Sequence, residues 1–191
     1  TLNEANETFF VNVTGVTGAV VVDGQGQGTI TNDDLLPSLS INDVSVTEGN
    51  SGTTNAVFTV TLSAASGQTV QTNYATANDS ATQPADYTST AGTLTFTPGQ
   101  TTRTITVPVV GDTVTESNET YFVNLTGATN ATISDNQGLG TIIDEDLPTP
   151  PTITDIANQT VNEDVATSAL AFTVDDVQTP AGSLVVTGNS S

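Results

Sequence analysis

Val109-Val110-Gly111-Asp112-Thr113-Val114-Thr115-Glu116-Ser117-Asn118-Glu119-Thr120-Tyr121-Phe122-Val123-Asn124-Leu125 decides the fold. Before it, Ile105, Val107 and Val109 alternate with Thr104, Thr106 and Pro108. At its end, Tyr121, Val123 and Leu125 alternate with Phe122 and Asn124. Period-2 alternation marks strands buried on one face. The loop between these strands holds Asp112, Glu116 and Glu119 and no basic residue. Packing does not need that cluster, whereas a hard cation accepts such oxygens.

The stretch recurs. Thr1–Leu36 aligns without a gap on Thr113–Pro148, at an offset of 112, with 20 of 36 positions identical. Self-similarity of this kind marks tandem modules. The chain is therefore expected to open inside one module, at 1–36, and to run through a complete one at 38–147. Leu35-Leu36-Pro37 leaves little slack between them. The whole reads as a segment of a longer repeat protein.

Composition narrows the chemistry. The net charge is −20, and Arg103 is the sole basic residue. Nucleic-acid binding is excluded as an expectation, because phosphate contacts need Lys and Arg. No segment has the apolar length to insert in a membrane. With no Cys, His, Met or Trp, disulfides, thiolate sites and His-dependent catalysis drop out. Oxygen ligands remain. So many uncompensated carboxylates repel one another unless salt or bound cations neutralise them.

Seven strands are expected in 38–147: Leu39–Thr47, Ala56–Ser63, Val70–Thr76, Thr93–Thr97, Thr101–Val110, Tyr121–Thr126 and Leu139–Ile143. Seven short strands in about 110 residues imply a two-sheet sandwich. If successive strands run antiparallel, alternate loops share an end. Glu48, Asp79, Asp86, Asp112, Glu116, Glu119, Asp144, Glu145 and Asp146 then converge on one pole, leaving Asp43 and Asp135 at the other. Asp79 and Glu119 are set apart as surface charge, the first early in a long loop, the second nearly on a strand. Calcium, which accepts six to eight oxygens in loose geometry, suits the pole better than magnesium. The competing reading is a solvated, salt-adapted end. Paired carboxylates also serve glycosidases, but those need aromatic sugar platforms, and the few aromatics here are wanted in the core. No enzyme is expected. The Asn-X-Ser/Thr triplets at Asn6, Asn12, Asn78, Asn118 and Asn124 carry no information in a chain so rich in Asn and Thr.

With these residues in view, the module resembles a Calx-beta domain, the fold of the calcium-binding regulatory domains of sodium/calcium exchangers. The landmarks are Val46-Thr47-Glu48-Gly49, Ala85-Asp86-Tyr87, Gly92-Thr93-Leu94-Thr95-Phe96-Thr97-Pro98-Gly99, the Asp112–Glu119 loop and Asp144-Glu145-Asp146. The resemblance implies an all-β fold of tandem, immunoglobulin-like sandwiches. It also implies calcium ligands at Glu48, Asp86, Asp112, Glu116, Asp144, Glu145 and Asp146, with a carbonyl near Val114. Glu119 matches a family acid near the site. Gly111 and Thr113 stand where the richest sites carry acids, so about one to three calcium ions per module are implied. Glu4, Asp33 and Asp34 match in the first copy.

Pro148-Thr149-Pro150-Pro151 reads as a stiff linker. Residues 152–191 resemble the start of a bacterial cadherin-like or immunoglobulin-like repeat, on Ile156-Ala157-Asn158-Gln159-Thr160-Val161-Asn162-Glu163-Asp164 and Phe172-Thr173-Val174-Asp175-Asp176. Strands are expected there at Thr152–Ile156, Leu170–Val174 and Ser183–Thr187. The combined expectation is a calcium-stiffened stalk or fibre element of a large secreted or cell-surface bacterial protein, adhesin-like. Its partners would be calcium and neighbouring modules or further copies. A filament joined by strand complementation and a calcium-sensing module are the alternatives.

Overall fold

The computed structural model describes residues 2–148, 150–176 and 181–187. Thr1, Thr149 of the expected linker, and 177–180 and 188–191 of the expected third unit lie outside the described residues.

The sandwich is built from the alternation seen in the sequence. Strands β3 (Ser38–Ile41), β5 (Gly52–Leu62), β8 (Thr102–Gly111) and β10 (Thr132–Ile133) form one sheet, in the order β10-β3-β5-β8. Strands β4 (Val44–Thr47), β6 (Val70–Asn78), β7 (Ala91–Phe96), β9 (Glu119–Thr129) and β11 (Gln137–Ile143) form the other, in the order β4-β11-β9-β6-β7. Leu39, Phe58, Val60, Leu62, Ile105, Val107 and Val109 point inward from the first sheet. Val70, Phe96, Tyr121, Val123, Leu125 and Ile142 meet them from the second. Tyr121 is stacked on Tyr87 at 4.6 Å between centroids and edge-on to Phe58 at 6.1 Å. β11 buries Gly138 and Gly140, and a Cβ at Gly140 would strike Tyr121 Cζ, so only glycine leaves room for that ring.

The strand expected at Leu39–Thr47 is in fact two. β3 pairs antiparallel with β5, and β4 pairs parallel with β11 in the opposite sheet. Asn42 and Asp43 make the crossing. Asn42 Oδ1 accepts from Thr59 N, and Asp43 Oδ1 accepts from Leu139 N at 2.7 Å. These side chains replace the backbone partners lost where the chain leaves one sheet for the other.

The N-terminal repeat forms a hairpin of β1 (Glu7–Asn12) and β2 (Gln25–Ile30). All six of its residue pairs, from Glu7↔Ile30 to Asn12↔Gln25, recur at +112 as Glu119↔Ile142 to Asn124↔Gln137 between β9 and β11. The hairpin's Phe9, Val11 and Val13 lie exposed.

Beyond Pro150 the expected strands need correction. The first is reduced to β12 (Thr152–Ile153) and the second moves to β13 (Val174–Asp175), paired with it. Ala181–Ser183 is a 3-10 turn, and no strand follows over 184–187. Ile156, Val161, Leu170 and Phe172 stay exposed. So few strands bury too little apolar surface to form a sandwich.

Candidate metal centre

The acidic pole follows from the topology. β4 and β11 run parallel with Thr47 opposite Ile143, so Glu48 and Asp144 emerge side by side. Glu48 N donates to Ile143 O at 3.3 Å. β8 ends at Gly111 and hands over to the Asp112 loop, which returns at Glu119 into β9. The segment after β6 is tied to the same end: Val110 N donates to Asp86 O at 2.9 Å, and Thr82 N donates to Asp86 Oδ2 at 2.7 Å.

Among the described residues, two groups of carboxylates meet here. Glu48, Asp144 and Asp146 form one, and Asp86, Glu116 and Glu119 the other; in each, one oxygen per residue lies within 4.8 Å of the rest. Asp144 links the groups. Its Oδ2 accepts from Glu116 N at 3.0 Å, and its Oδ1 accepts from Asp146 N at 3.2 Å. Asn118 Oδ1 in turn accepts from Asp144 N at 3.2 Å.

The first group is the informative one. Glu48 is 4% exposed and Asp146 is 8% exposed. Glu48 Oε1 and Asp146 Oδ2 are buried without a hydrogen-bond partner. A buried carboxylate oxygen with no donor is costly unless a cation or proton supplies the missing charge. The sole basic residue, Arg103, donates its Nε to Thr95 O at 2.8 Å. Burial, and then the charges of Asp112, Asp144, Glu116 and Glu145, push the Glu48 carboxyl up to about 7. Burial likewise raises Asp146 against the Asn50 hydrogen bond, and neighbouring acids add to it. In the second group, burial and then the charge and hydrogen bond of Asp86 push Glu119 up to about 7. Glu116 is raised by burial first, then by Asp112, Asp86 and Asp144. An all-oxygen donor set with orphaned buried oxygens fits a hard divalent cation.

Of the expected ligands, Glu48, Asp86, Glu116, Asp144 and Asp146 fall within the two groups. Asp112 and Glu145 stand beside them. Asp112 Oδ1 accepts from Val114 N at 2.6 Å. Glu145 is exposed, with its carboxylate next to Gly49. Glu119, set apart as surface charge, joins Asp86 and Glu116; its place at the very first residue of β9 keeps the carboxyl at the pole. Asp79 instead accepts from the Thr120 hydroxyl at 2.6 Å. Asn50, which drew no attention in the sequence, holds Asp146. At Gly111 a Cβ would strike the carbonyl of Gly49, which explains why that position carries no acid.

The first copy keeps the same scaffold. Glu4 N donates to Asn32 Oδ1 at 3.1 Å, as Glu116 N does to Asp144, and Asn32 N donates to Asn6 Oδ1 at 2.9 Å, as Asp144 N does to Asn118. Among the described residues it has no counterpart of Glu48 or Asp86.

The model of the Calx-beta domain family matches residues 31–146, more than half of the chain. No curated protein matches it. Among solved structures, the apo-form Calx CBD1 domain is similar at 19% identity and a TM-score of 0.50, over 59% of this chain and 100% of that one. CBD12 from CALX1.2 is similar at 18% identity and a TM-score of 0.53, over 65% of this chain and 52% of that one. The calcium binding domain CBD12 of CALX1.1 is similar at 18% identity and a TM-score of 0.51, over 56% and 44%. The chain thus spans about half of the latter two, and at these identities the likeness is one of fold. The family match and the sandwich agree: the chain belongs to the Calx-beta domain family.

Proposed function

We propose that residues 38–147 are a calcium-binding structural module and that the chain is a tandem segment of a stalk or fibre in a large secreted, adhesin-like bacterial repeat protein. The observation that carries the calcium reading is the pair of buried, unpartnered oxygens on Glu48 and Asp146, brought together with Asp144. Calcium there would draw on Glu48, Asp144, Asp146 and Asn50, and at the adjoining group on Asp86, Glu116 and Glu119, with Asp112 and Glu145 at hand. The calcium binding domain named in a similar structure supports the choice of ion. The gapless self-match at +112 supports the tandem reading, and the resemblance of 152–191 to bacterial surface repeats supports a cell-surface setting. The module is a binder and spacer, with no catalytic role.

Thermal unfolding of the whole chain tests this, with millimolar calcium and with excess chelator at fixed ionic strength. Calcium should raise the melting temperature and magnesium should not reproduce the rise. Identical melts would leave an acidic spacer without a metal.

The bare apolar face of the β1–β2 hairpin favours a second reading. Strands from the C-terminal segment of another copy would cover it, building a filament by strand addition. Light scattering over a concentration series tests it: growth that deleting 150–191 abolishes supports the filament, and a constant monomer mass sinks it.

A further inference from the structure

The N-terminal unit and the complete module meet through a contact of neutral hydrogen-bonding groups centred on Asn3. Asn3 lies in the loop before β1 and is only 6% exposed. Its main-chain oxygen accepts from Gly67 N at 2.9 Å and from the Ser66 hydroxyl at 3.4 Å. Its side-chain Oδ1 accepts from Gln68 Nε2 at 3.1 Å, while its Nδ2 donates to Asp34 O at 2.9 Å. One residue thus ties together the loop before β1, the tail after β2 and the turn between β5 and β6. That turn is itself fixed. Gly99 N donates to Ser66 O at 2.9 Å, and Gln68 N donates to Ser66 Oγ at 3.0 Å. A Cβ at Gly67 would lie 2.7 Å from Glu4 Cγ, so a side chain there would displace Glu4.

We propose that this clamp is the docking joint between successive Calx-beta modules, set by Asn3 and independent of any bound cation. The Ser66-Gly67-Gln68 turn of one module receives the loop that, in the module before it, leads into the strand equivalent to β9. The hydrogen-bonding groups of the clamp are neutral, and the receiving Ser66-Gly67-Gln68 turn carries no charge, so Glu4, whose side chain lies against Gly67, meets no acid in that turn. The partner this turn fits is therefore a Calx-beta acidic end with Asn at the position of Asn3. In the complete module that position is Thr115, whose hydroxyl is buried without a partner. It lacks the amide that both donates and accepts, and the chain after it leads to a segment of a different kind. The clamp thus distinguishes a junction between two Calx-beta modules from one that ends the series. It rests on the tandem reading proposed above and not on the calcium reading.

Amide hydrogen exchange of the full chain, read by NMR with millimolar calcium and with excess chelator, tests the joint. The Gly67 amide should be protected equally in both. Asn3→Ala should speed its exchange about tenfold, the order expected for losing a hydrogen-bonded contact, while amides inside β5 and β8 keep their rates. Gly67→Val should release the Gln68 side-chain amide from Asn3 and shift its resonance, with the melting temperature of the module unchanged. Protection that vanishes on chelation would make the joint a cation device and overturn the proposal. Equal exchange in wild type and Asn3→Ala would overturn it too. A failed calcium reading shows instead as identical melts with Gly67 still protected.

Discussion

The β1–β2 hairpin and the β9–β11 pair carry the same local instructions and end in different environments. Registers match, and so do fine contacts: Gln25 Nε2 donates to Asn12 Oδ1 at 2.9 Å, as Gln137 Nε2 does to Asn124 Oδ1 at 2.9 Å. Gly15 and Gly127 both adopt positive φ, of 71° and 63°. Yet Phe9 is 50% exposed and its counterpart Tyr121 is 0% exposed. Turn chemistry and cross-strand pairing fix the hairpin's shape, and burial by the opposite sheet supplies its stability.

The widest contrast should come from truncating the two aromatics. Tyr121→Ala should cost about 3–5 kcal/mol in urea unfolding, the range for emptying a large aromatic site in a core. Phe9→Ala should shift the same transition by less than about 0.5 kcal/mol, as for a surface change. Comparable losses would mean that the hairpin is packed in solution.

Next in size is the metal. At a calcium concentration of about a hundred times Kd, linkage stabilises the module by about 2.7 kcal/mol. Asp144→Asn, which disturbs both carboxylate groups, should abolish most of that gain in calcium-dependent melts. Asp34→Asn in the first copy should leave it intact.

The pH dependence of the metal-free chain sharpens the same contrast. Folded Glu48 holds its proton up to about pH 7, whereas the unfolded chain releases it near 4.5. The native state thus binds more protons across that window, and stability falls as pH rises through it. Glu119 adds in the same direction. With saturating calcium the sign should reverse, because protons compete for the ligands. Melting curves at pH 5 and pH 7.5 read both effects, and Glu48→Gln should flatten the metal-free slope.

The smallest effect concerns the contact common to both copies. Gln137→Ala should cost about 0.5 kcal/mol, the low end for an intramolecular hydrogen bond at an exposed site. A larger loss in urea unfolding would show that this bond guides strand pairing and does more than decorate it.

Much of the sandwich was legible because each inner face alternates over several residues, as in Ala56, Phe58, Val60 and Leu62. The break in the first strand shows in the sequence only as a slip of phase, from apolar Leu39 and Ile41 to apolar Val44 and Val46 across Asn42-Asp43, which a single long strand conceals. The polar pair itself was the available signal. Convergence of the acids followed from counting strand directions. Which oxygens lack donors did not, because that depends on burial of Glu48 and Asp146 by neighbours distant in sequence. Glu119 was misjudged because alternation places it on a strand, and only the strand's end decides whether it faces the loop cluster. Past Pro150, apolar residues spaced like strands found no opposing layer, so periodicity overstated their order.

The parallel pairing of β4 with β11 has a mechanical consequence. β4 follows only β3 at the start of the module and β11 closes it, so a pull on the two ends that passes β3 drives β4 and β11 past each other lengthwise. All bonds between Val44–Thr47 and Gly140–Ile143 then share the load at once, in shear, and none is peeled open first. Glu48 and Asp144 sit where that seam finishes, so an ion bridging them would act as a rivet at its end.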